Sequence, residues 1–383
     1  MFLLFHLPPS VAHNTNISGT FAMSESPGMP PLSWGIMGAG RVCHDFVQAL
    51  KSVPHAAKVQ TVGCRELERS IEFADQHGIP NRAGSYEDVA KDPGVDICYI
   101  GMLHPFHYEN AMAALHNGKH VLVEKPSTCT ESDTKELVRL AEDKGLFIME
   151  GMWTRFFPAV EKVQEIVSSG AIGKVVAVHS DFGFNGADVA NYPDHMFYNL
   201  NLGGGGLFYV APYPVAAALQ FLGPAFPSRI AAAGVKDELT GVDLSGAISL
   251  HFEGKGIASL TYNIEAETPE ETIIIGTKGR IKVLSPAHCP TAIEVTTKEN
   301  GRGNTATNRH DFPLPDPPAS VETSGGFNYP NSNGFQFEAV AIHKCIREGK
   351  TLSDQYTPNE MMAVMHVLEE CRKQLKINGV EKM

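Results

Sequence analysis

The chain has 383 residues, enough for two domains, and its 43% hydrophobic and 19% charged residues are ordinary for a protein with a sizeable core. The formal net charge is −12 and lysine and arginine do not cluster, which argues against a nucleic-acid-binding surface. No stretch approaches the roughly 18 uninterrupted apolar residues of a membrane span. We therefore expect neither a nucleic acid nor a membrane as a partner.

The seven cysteines are scattered, odd in number and without a CxxC pair, a pattern typical of reduced thiols rather than of disulfides or a metal site. Residues 1–32 are rich in serine, proline and asparagine and lack periodicity. We expect them to form a disordered leader, with a cryptic signal peptide as the alternative. The sequence therefore predicts a cytoplasmic protein without a bound metal.

The first predicted strand leads into a glycine-rich turn and a helix, a pattern typical of a dinucleotide site. Gly38 permits the tight turn, and Gly40 lets backbone N–H groups at the helix N-terminus approach a pyrophosphate. Cys43 replaces the third glycine of the usual pattern but is small enough for close packing. We assign Gly38, Gly40, Arg41 and Val42 to a cofactor site, with an ordinary strand-to-helix turn as the alternative.

The second predicted strand, residues 59–63, is followed by Arg65 and Glu66. An acidic residue at this position binds a ribose 2′-hydroxyl, whereas an arginine can hold a 2′-phosphate. Arg65 therefore favours NADP, while Glu66 leaves NAD open. A solvated arginine at a helix start is the third interpretation.

A short apolar strand, predicted at residues 120–123, ends abruptly in Glu124, Lys125 and Pro126, where proline forbids further pairing. Ligands of open parallel sheets bind outside the carboxyl ends of the strands. This strand therefore delivers an acid and an amine to an edge where a reaction site is expected. A solvated lysine in a strand-to-helix turn is the alternative.

Strands and helices alternate up to about residue 151, which predicts a parallel sheet with right-handed crossovers. Several strands then follow one another with short turns, which predicts an antiparallel or mixed open sheet. We predict a long loop over residues 301–333 and two closing helices, over residues 334–348 and 358–376. The predicted fold class is α/β, with an N-terminal Rossmann domain over residues 33–151. A C-terminal α+β domain with a large, open, mostly antiparallel sheet, for substrate binding and dimerisation, covers residues 152–383.

Several motifs resemble the glucose-fructose oxidoreductase/inositol dehydrogenase/MocA family. The first set is Gly38-Ala39-Gly40, Glu124-Lys125-Pro126 and the glycines 203–205 before a tyrosine-bearing helix. Within that family, residues 149–158, 181–183 and 276–279 are similar to the dimeric dihydrodiol dehydrogenases, which also oxidise D-xylose with NADP. The resemblance covers about residues 33–376 and implies a homodimer.

The resemblance also implies roles for single residues. Lys125 matches the catalytic lysine beside the nicotinamide, and Tyr213 matches the tyrosine that exchanges the substrate's hydroxyl proton. His107, Trp153 and Phe182 match substrate-binding positions. Without the resemblance, a loop histidine and core aromatic residues would be the favoured interpretation of these three side chains.

The remaining candidates for cofactor contacts are Arg65, His104, Glu124, Lys125 and Arg155. One position departs from the family pattern, because Tyr209 replaces an aspartate four residues before Tyr213. If both tyrosines lie on one helix, this spacing places them on one face. We expect Tyr209 to contact substrate, with a packed aromatic residue as the alternative.

Oxidising a secondary alcohol removes a proton while a hydride leaves the same carbon, so a base and a cation must lie beside the hydroxyl. A lysine ammonium stabilises the developing alkoxide and is expected to lower the pKa of a neighbouring phenol. The predicted function is NADP-dependent oxidation of a cyclic trans-dihydrodiol or an aldose such as D-xylose. An NADPH-dependent reductase of another sugar or carbonyl, and a catalytically weakened NADP-binding protein, are the alternatives.

Overall fold

The computed structural model describes residues 29–187, 189–223, 226–298 and 305–377. Most of the predicted leader, residues 1–28, lies outside the described residues. The first strand begins at Leu32, one residue before the predicted start. The α/β fold class is confirmed, because a parallel sheet with helices is followed by a separate, mostly antiparallel sheet.

The first sheet has six strands in the order β3-β2-β1-β4-β5-β6, and every pairing in it is parallel. Its strands are β1 (Leu32–Met37), β2 (Ala57–Gly63), β3 (Asn81–Ala83), β4 (Ile97–Ile100), β5 (His120–Val123) and β6 (Ile148–Glu150). Its helices are α1 (Arg41–Leu50), α2 (Leu67–His77), α3 (Tyr86–Lys91), α4 (His107–His116) and α5 (Glu131–Lys144). The strand order reverses between β1 and β4, which places a switch-point crevice at their carboxyl ends.

Central strands of this sheet are apolar because helices cover both faces. All residues of β1 and β4 are buried, so neither strand shows the alternation of a half-exposed strand. Helix α5 begins after Thr130, whose hydroxyl accepts the N–H of Asp133, and ends at Gly145 in a left-handed conformation. Local cap residues therefore set both ends of this helix.

The second sheet has eight strands in the order β14-β13-β12-β11-β7-β10-β9-β8. They are β7 (Val175–Gly183), β8 (Arg229–Lys236), β9 (Asp243–Phe252), β10 (Gly256–Asn263), β11 (Thr272–Gly276), β12 (Gly279–Val283), β13 (Ala292–Lys298) and β14 (Thr305–Asp311). Only β7 and β10 pair in parallel. The mixed, mostly antiparallel sheet was therefore predicted correctly.

The predicted long loop over residues 301–333 is wrong in its described part. It contains β14, which pairs with β13, and helix α9 (Ala319–Thr323). Strand β14 has the sequence TATNRHD and is mostly exposed. An edge strand of polar residues shows no alternation of apolar and polar residues. Strand β14 forms through its backbone hydrogen bonds to β13, which its own sequence does not reveal.

Helices of the second half cover one face of this sheet and also reach the first sheet. They are α6 (Pro158–Ser168), α7 (Gly206–Tyr209), α8 (Pro212–Leu222), α10 (Phe335–Arg347) and α11 (Pro358–Leu375). Helix α11 packs on α5, α8 and β8, and α10 packs on α1. The chain therefore returns from the second sheet to the first, and both parts share contacts near the carboxyl ends of β1, β4 and β5.

The other face of the second sheet is open in the single chain. Along β8, β9 and β10 it presents small and apolar side chains, including Val235 and Ile257, which are 58% and 45% exposed. All seven cysteines are unpaired, as predicted. In the described part of the chain no single helix could cross a bilayer, whereas one bent pair, Leu200–Tyr209 with Pro212–Leu222, has the necessary length and composition.

Candidate active site

The glycine turn after β1 has the shape required for a dinucleotide. Gly38 has φ +125°, and a Cβ there would lie 2.8 Å from the carbonyl oxygen of Gly101. Gly40 has φ −83°, and within the described ranges no atom lies within 4 Å of where its Cβ would be. Gly38 is thus required by the turn, while Gly40 leaves open space at the N-terminus of α1.

The first turn of α1 is suited to an anion. No described side chain caps this N-terminus, and its first turn has no acidic residue. Free N–H groups and the helix dipole favour a phosphate at such a position. This uncapped N-terminus and the open space at Gly40 fit a pyrophosphate, and the cofactor role of Gly38, Gly40, Arg41 and Val42 stays a prediction.

Arg65 lies exposed beyond the end of β2, with its guanidinium carbon 5.6 Å from the ring centroid of Phe106. Glu66 is the N-cap residue of α2 but makes no capping side-chain hydrogen bond. Both residues are therefore at the strand tip that contacts a ribose in dinucleotide-binding folds. The choice between NADP and NAD stays a prediction.

Lys125 and Tyr213, far apart in the sequence, converge in the fold. The Lys125 ammonium lies 5.2 Å from the ring centroid of Tyr213 and donates a hydrogen bond of 3.0 Å to the backbone carbonyl of Tyr209. Burial lowers the pKa of Lys125, and the carboxylates of Glu124 and Glu150 oppose this shift. An amine and a phenol are thus held together at the carboxyl end of β5.

Tyr213 is a neutral phenol in this arrangement. Burial raises its pKa well above the ordinary value, and the charge of Glu124 adds to the shift. The expectation that Lys125 lowers this pKa is therefore wrong, because desolvation of a buried phenolate dominates. The Trp153 indole N–H donates to the Tyr213 hydroxyl at 3.1 Å, which leaves the O–H free to donate elsewhere.

Aromatic rings surround this phenol. The Trp153 ring stacks on Phe335 with centroids 4.1 Å apart, and the Phe182 centroid lies 5.4 Å from that of Tyr213. The structure therefore brings together Lys125, Tyr213, Trp153 and Phe182. Their predicted roles in catalysis and substrate binding remain predictions, but their proximity is a property of the fold.

His107 does not face open space. Its Nδ1 lies 2.9 Å from the carbonyl oxygen of Pro126, and its Nε2 lies 2.9 Å from that of Met102. The predicted substrate-binding role needs correction, because both ring nitrogens are occupied by backbone groups. His107 is a positioning residue that holds the backbone next to Lys125.

His104 and Glu124 are also engaged by the protein. His104 is 6% exposed, and its Nδ1 lies 3.0 Å from the carbonyl oxygen of Gly203. Glu124 is 7% exposed and accepts a hydrogen bond of 2.7 Å from the Tyr99 hydroxyl. Burial lowers the pKa of His104 and raises that of Glu124. Both residues lie next to Lys125, and their predicted cofactor contacts remain predictions.

Arg155 needs a correction. Its guanidinium pairs with the carboxylate of Glu360 at 2.9 Å and donates to the backbone carbonyls of Ala216 at 2.8 Å and Gln355 at 3.2 Å. Its donors are therefore used to join α8 to the start of α11. The predicted role in cofactor binding does not fit this geometry, whereas a structural role does.

Tyr209 and Tyr213 do not share a helix face, contrary to the prediction. Helix α7 ends at Tyr209 and α8 begins at Pro212, and the chain bends between them. The Tyr209 ring packs 4.8 Å from His104 and 4.8 Å from Phe197. Its hydroxyl is buried without a hydrogen-bond partner among the described residues, and burial raises its pKa. The two tyrosines are connected through Lys125 instead.

His288, in the loop between β12 and β13, is a site residue that the sequence did not predict. Its ring stacks on Phe182 with centroids 4.6 Å apart and lies 5.3 Å from Tyr213. Its Nδ1 pairs with the carboxylate of Glu270. No pattern in the sequence marks this pair, because both residues are in loops and 18 positions apart.

Asp45 was also missed. This fully buried residue of α1 accepts hydrogen bonds from the N–H groups of Asn328 and Tyr329, the Asn328 amide and the Ser332 hydroxyl. We call residues 326–333 the strap, because they cross from the second sheet to the first domain over α1. The Tyr329 side chain contacts Arg41, so the middle of the strap lies beside the glycine turn.

An open glycine turn at a switch point, next to a lysine and a phenol among aromatic walls, defines a dinucleotide-dependent oxidoreductase site. Residues 32–152 match the oxidoreductase family with an NAD-binding Rossmann fold, and residues 160–282 match the GFO/IDH/MocA C-terminal domain. The chain therefore belongs to the GFO/IDH/MocA family of oxidoreductases, as its motifs predicted.

Similar proteins include trans-1,2-dihydrobenzene-1,2-diol dehydrogenases. Those of Danio rerio and Homo sapiens are 34% and 33% identical over 347 residues, which are 90% of this chain and 97% of each relative. The fold is shared with levoglucosan dehydrogenase in complex with NADH and levoglucosan, with TM-score 0.79, 18% identity and coverage of 90% and 97%. A 3-ketoreductase from Actinomadura kijaniata in complex with NADP has TM-score 0.73, 20% identity and coverage of 90% and 98%.

Proposed function

We propose that this protein is an NADP-dependent dehydrogenase that oxidises a cyclic trans-dihydrodiol or an aldose such as D-xylose. The observation that carries the proposal is the Lys125 ammonium 5.2 Å from the Tyr213 ring, beside an open dinucleotide-type turn. Relatives about one-third identical over 90% of the chain are dihydrodiol dehydrogenases, which supports the substrate class.

The cofactor supplies a nicotinamide that accepts the hydride when it is bound. The chain's own residues bind and orient it. The N-terminus of α1 and the space above Gly40 would hold the pyrophosphate, and Arg65 would hold a 2′-phosphate. The fit rests on the open space at Gly40 and on an N-terminus without an acidic residue.

Lys125 and Tyr213 would act on the substrate hydroxyl. In oxidation, the C–H bond breaks with its electron pair leaving as hydride, and the O–H proton leaves to a base. Because the pKa of Lys125 is lowered, its neutral amine can take this proton, and the ammonium so formed stabilises the negative charge that develops on the oxygen. Trp153 and Phe182 exclude water and contact the apolar face of a ring.

A second candidate function is NADPH-dependent reduction of a sugar or other carbonyl. The neutral Tyr213 phenol favours it, because a phenol that receives the Trp153 N–H and keeps its own proton is a donor to a carbonyl oxygen. Following NADPH formation with alcohols and NADPH consumption with carbonyls distinguishes the two directions.

The proposal predicts that purified protein forms NADPH with trans-benzene dihydrodiol or D-xylose. Lys125→Met should lower kcat by at least about a hundredfold, since one electrostatic group at a reacting oxygen contributes about that much. Lys135→Met is the control, because that lysine is exposed and pairs with Glu131 on α5. Equal turnover of the wild type and Lys125→Met would rule out the role of this lysine.

A silent NADP-binding protein is the third possibility, since Tyr209 replaces the family's aspartate. It predicts NADPH binding without turnover on any alcohol or carbonyl. Tyr209→Asp would then gain activity, because a carboxylate would enter next to Lys125. An active wild type that loses turnover in Tyr209→Asp would exclude this possibility.

We also propose a homodimer formed through the open face of the second sheet. Val235 and Ile257 are exposed there, beside small residues such as Ala247. Ala247→Arg would place a charge at the middle of this face and should yield monomers in light scattering. A wild type that is monomeric at micromolar concentration would contradict the proposal.

A further inference from the structure

A histidine lies within the aromatic wall of the site. The His288 ring is nearly parallel to Phe182, with centroids 4.6 Å apart and an interplanar angle of 16°. It also lies 5.3 Å from the Tyr213 ring and 5.9 Å from Trp153. The wall that would contact a substrate ring thus contains one polar heterocycle among its hydrocarbon rings.

Glu270 fixes the orientation of this ring. Its carboxylate pairs with Nδ1 of His288, and the two side chains are only 16% and 13% exposed. Water therefore screens the pair little. A carboxylate on Nδ1 holds the proton on that nitrogen, so Nε2 is the nitrogen that can accept a hydrogen bond from a ligand hydroxyl.

The backbone of Glu270 is held in an unusual conformation. Its φ is +55°, in the left-handed region that residues other than glycine rarely adopt. Its N–H donates to the Asp181 carboxylate at 2.7 Å, and its carbonyl accepts the Ala287 N–H at 3.0 Å. Such strain is held in place by surrounding contacts and is concentrated at functional sites.

The free nitrogen of the imidazole has a weak partner. Among the described residues, Nε2 of His288 contacts only the Cys289 sulfur, at 3.3 Å. A thiol is a poor donor and acceptor, so a ligand hydroxyl can replace it at little cost. Burial raises the pKa of the Cys289 thiol, which makes a competing thiolate at this position unfavourable.

We propose that His288, oriented by Glu270, hydrogen-bonds a further hydroxyl of the substrate, beyond the two that a diol presents, and makes the site selective for polyhydroxylated rings such as aldoses. This inference rests on the proposed function and narrows its substrate class. A cyclic dihydrodiol has two neighbouring hydroxyls, and the rest of its ring is hydrocarbon. Trp153 and Phe182 alone would accommodate that hydrocarbon part. A sugar ring presents hydroxyls around its edge and needs a polar partner in the wall.

The test compares two substrates in matched variants. His288→Phe keeps a ring on Phe182 but removes both nitrogens, and Glu270→Gln keeps volume but removes the charge. Glu271→Gln is the control, because its carboxylate pairs with Lys282 at 2.7 Å instead. Steady-state kcat/KM is measured with NADP for D-xylose and for trans-benzene dihydrodiol.

We expect His288→Phe to lower kcat/KM for D-xylose by about 10- to 100-fold, mainly by raising KM, because the loss of one hydrogen bond to a charged or oriented group has an effect of this size. The same substitution should change kcat/KM for the dihydrodiol by no more than about threefold. Glu270→Gln should show the same pattern more weakly. Equal losses with both substrates, or no loss with D-xylose, would overturn the inference.

Binding without turnover separates this inference from the proposed function. Calorimetric titration of D-xylose into the NADPH complex should show weaker binding in His288→Phe than in the wild type and in Glu271→Gln. If the wild type forms no NADPH with either substrate, the proposed function fails, and the titration still tests His288. Identical D-xylose affinity in all variants would overturn the role of His288 even if the enzyme is active.

Discussion

The contact between Asp45 and the strap gives the sharpest stability prediction. Asp45 is fully buried and accepts from four donors: the Asn328 N–H at 2.8 Å, the Asn328 amide at 2.8 Å, the Tyr329 N–H at 2.9 Å and the Ser332 hydroxyl at 2.6 Å. Asp45→Asn keeps the shape but turns one carboxylate oxygen into a donor. About half of the strap's donors would then face another donor.

The expected loss follows from those unsatisfied groups. Each buried donor without a partner costs about 1–3 kcal/mol, so two of them give about 2–6 kcal/mol of unfolding free energy. Asp75→Asn is the matched control on α2. Its pair with Arg82 at 2.9 Å is exposed, with 63% and 42% of the two side chains accessible, so we expect a loss of at most about 1 kcal/mol.

Two measurements check this prediction. Urea unfolding gives the difference in free energy between the two variants, and hydrogen exchange reports protection of the Asn328 and Tyr329 amides. Asp45→Asn should lose protection there while α5 stays protected. Unchanged protection in the strap, or a loss of stability no larger than that of Asp75→Asn, would refute the reasoning.

Three further predictions concern the turn, a buried acid and Arg155. Gly38→Ala should destabilise the fold and abolish NADPH binding, because its Cβ would lie 2.8 Å from the Gly101 carbonyl oxygen. Gly40→Ala should keep the stability of the fold but weaken NADPH binding at least about tenfold, as measured by fluorescence titration. Glu338 is fully buried, neither oxygen has a partner in the described ranges, and burial raises its pKa. Because the pKa of Glu338 is higher in the folded than in the unfolded state, the stability of the wild type should fall as pH rises above the ordinary carboxyl range. Glu338→Gln should flatten the pH dependence of the unfolding free energy, measured with urea, between pH 5 and about 8. A wild-type stability that is already flat over this range would contradict the prediction. Arg155→Met should cost about 3–5 kcal/mol by leaving a buried carboxylate unpaired while NADPH affinity stays unchanged, and a large affinity loss would restore its predicted cofactor role.

Features with a local cause could be predicted from the sequence. The end of β5 at Val123 follows from an apolar run stopped by Pro126, and the turn at Gly38 follows from a backbone that only glycine adopts readily. The ends of helix α5 also have local causes, because Thr130 caps its start and Gly145 ends it in a left-handed conformation. The family resemblance supplied the pairing of Lys125 with a distant tyrosine, which no local pattern contains.

Features that depend on tertiary contacts could not be predicted. The break between α7 and α8 separates Tyr209 from Tyr213, although the spacing alone suggested one continuous helix. The partner of Arg155 is on α11, about two hundred positions later in the chain. The pairing of Glu270 with His288 joins two loops, and loop contacts leave no periodic signal in a sequence.

The most direct test of the central claim is a crystal structure of the protein with NADP bound. We expect the pyrophosphate at the N-terminus of α1 above Gly40, and the nicotinamide beside Lys125 and Tyr213, with its reactive carbon about 3–4 Å from a substrate atom that the Lys125 side chain also contacts. A nicotinamide bound away from this lysine and phenol, or a glycine turn that takes no dinucleotide at millimolar NADP, would contradict the account.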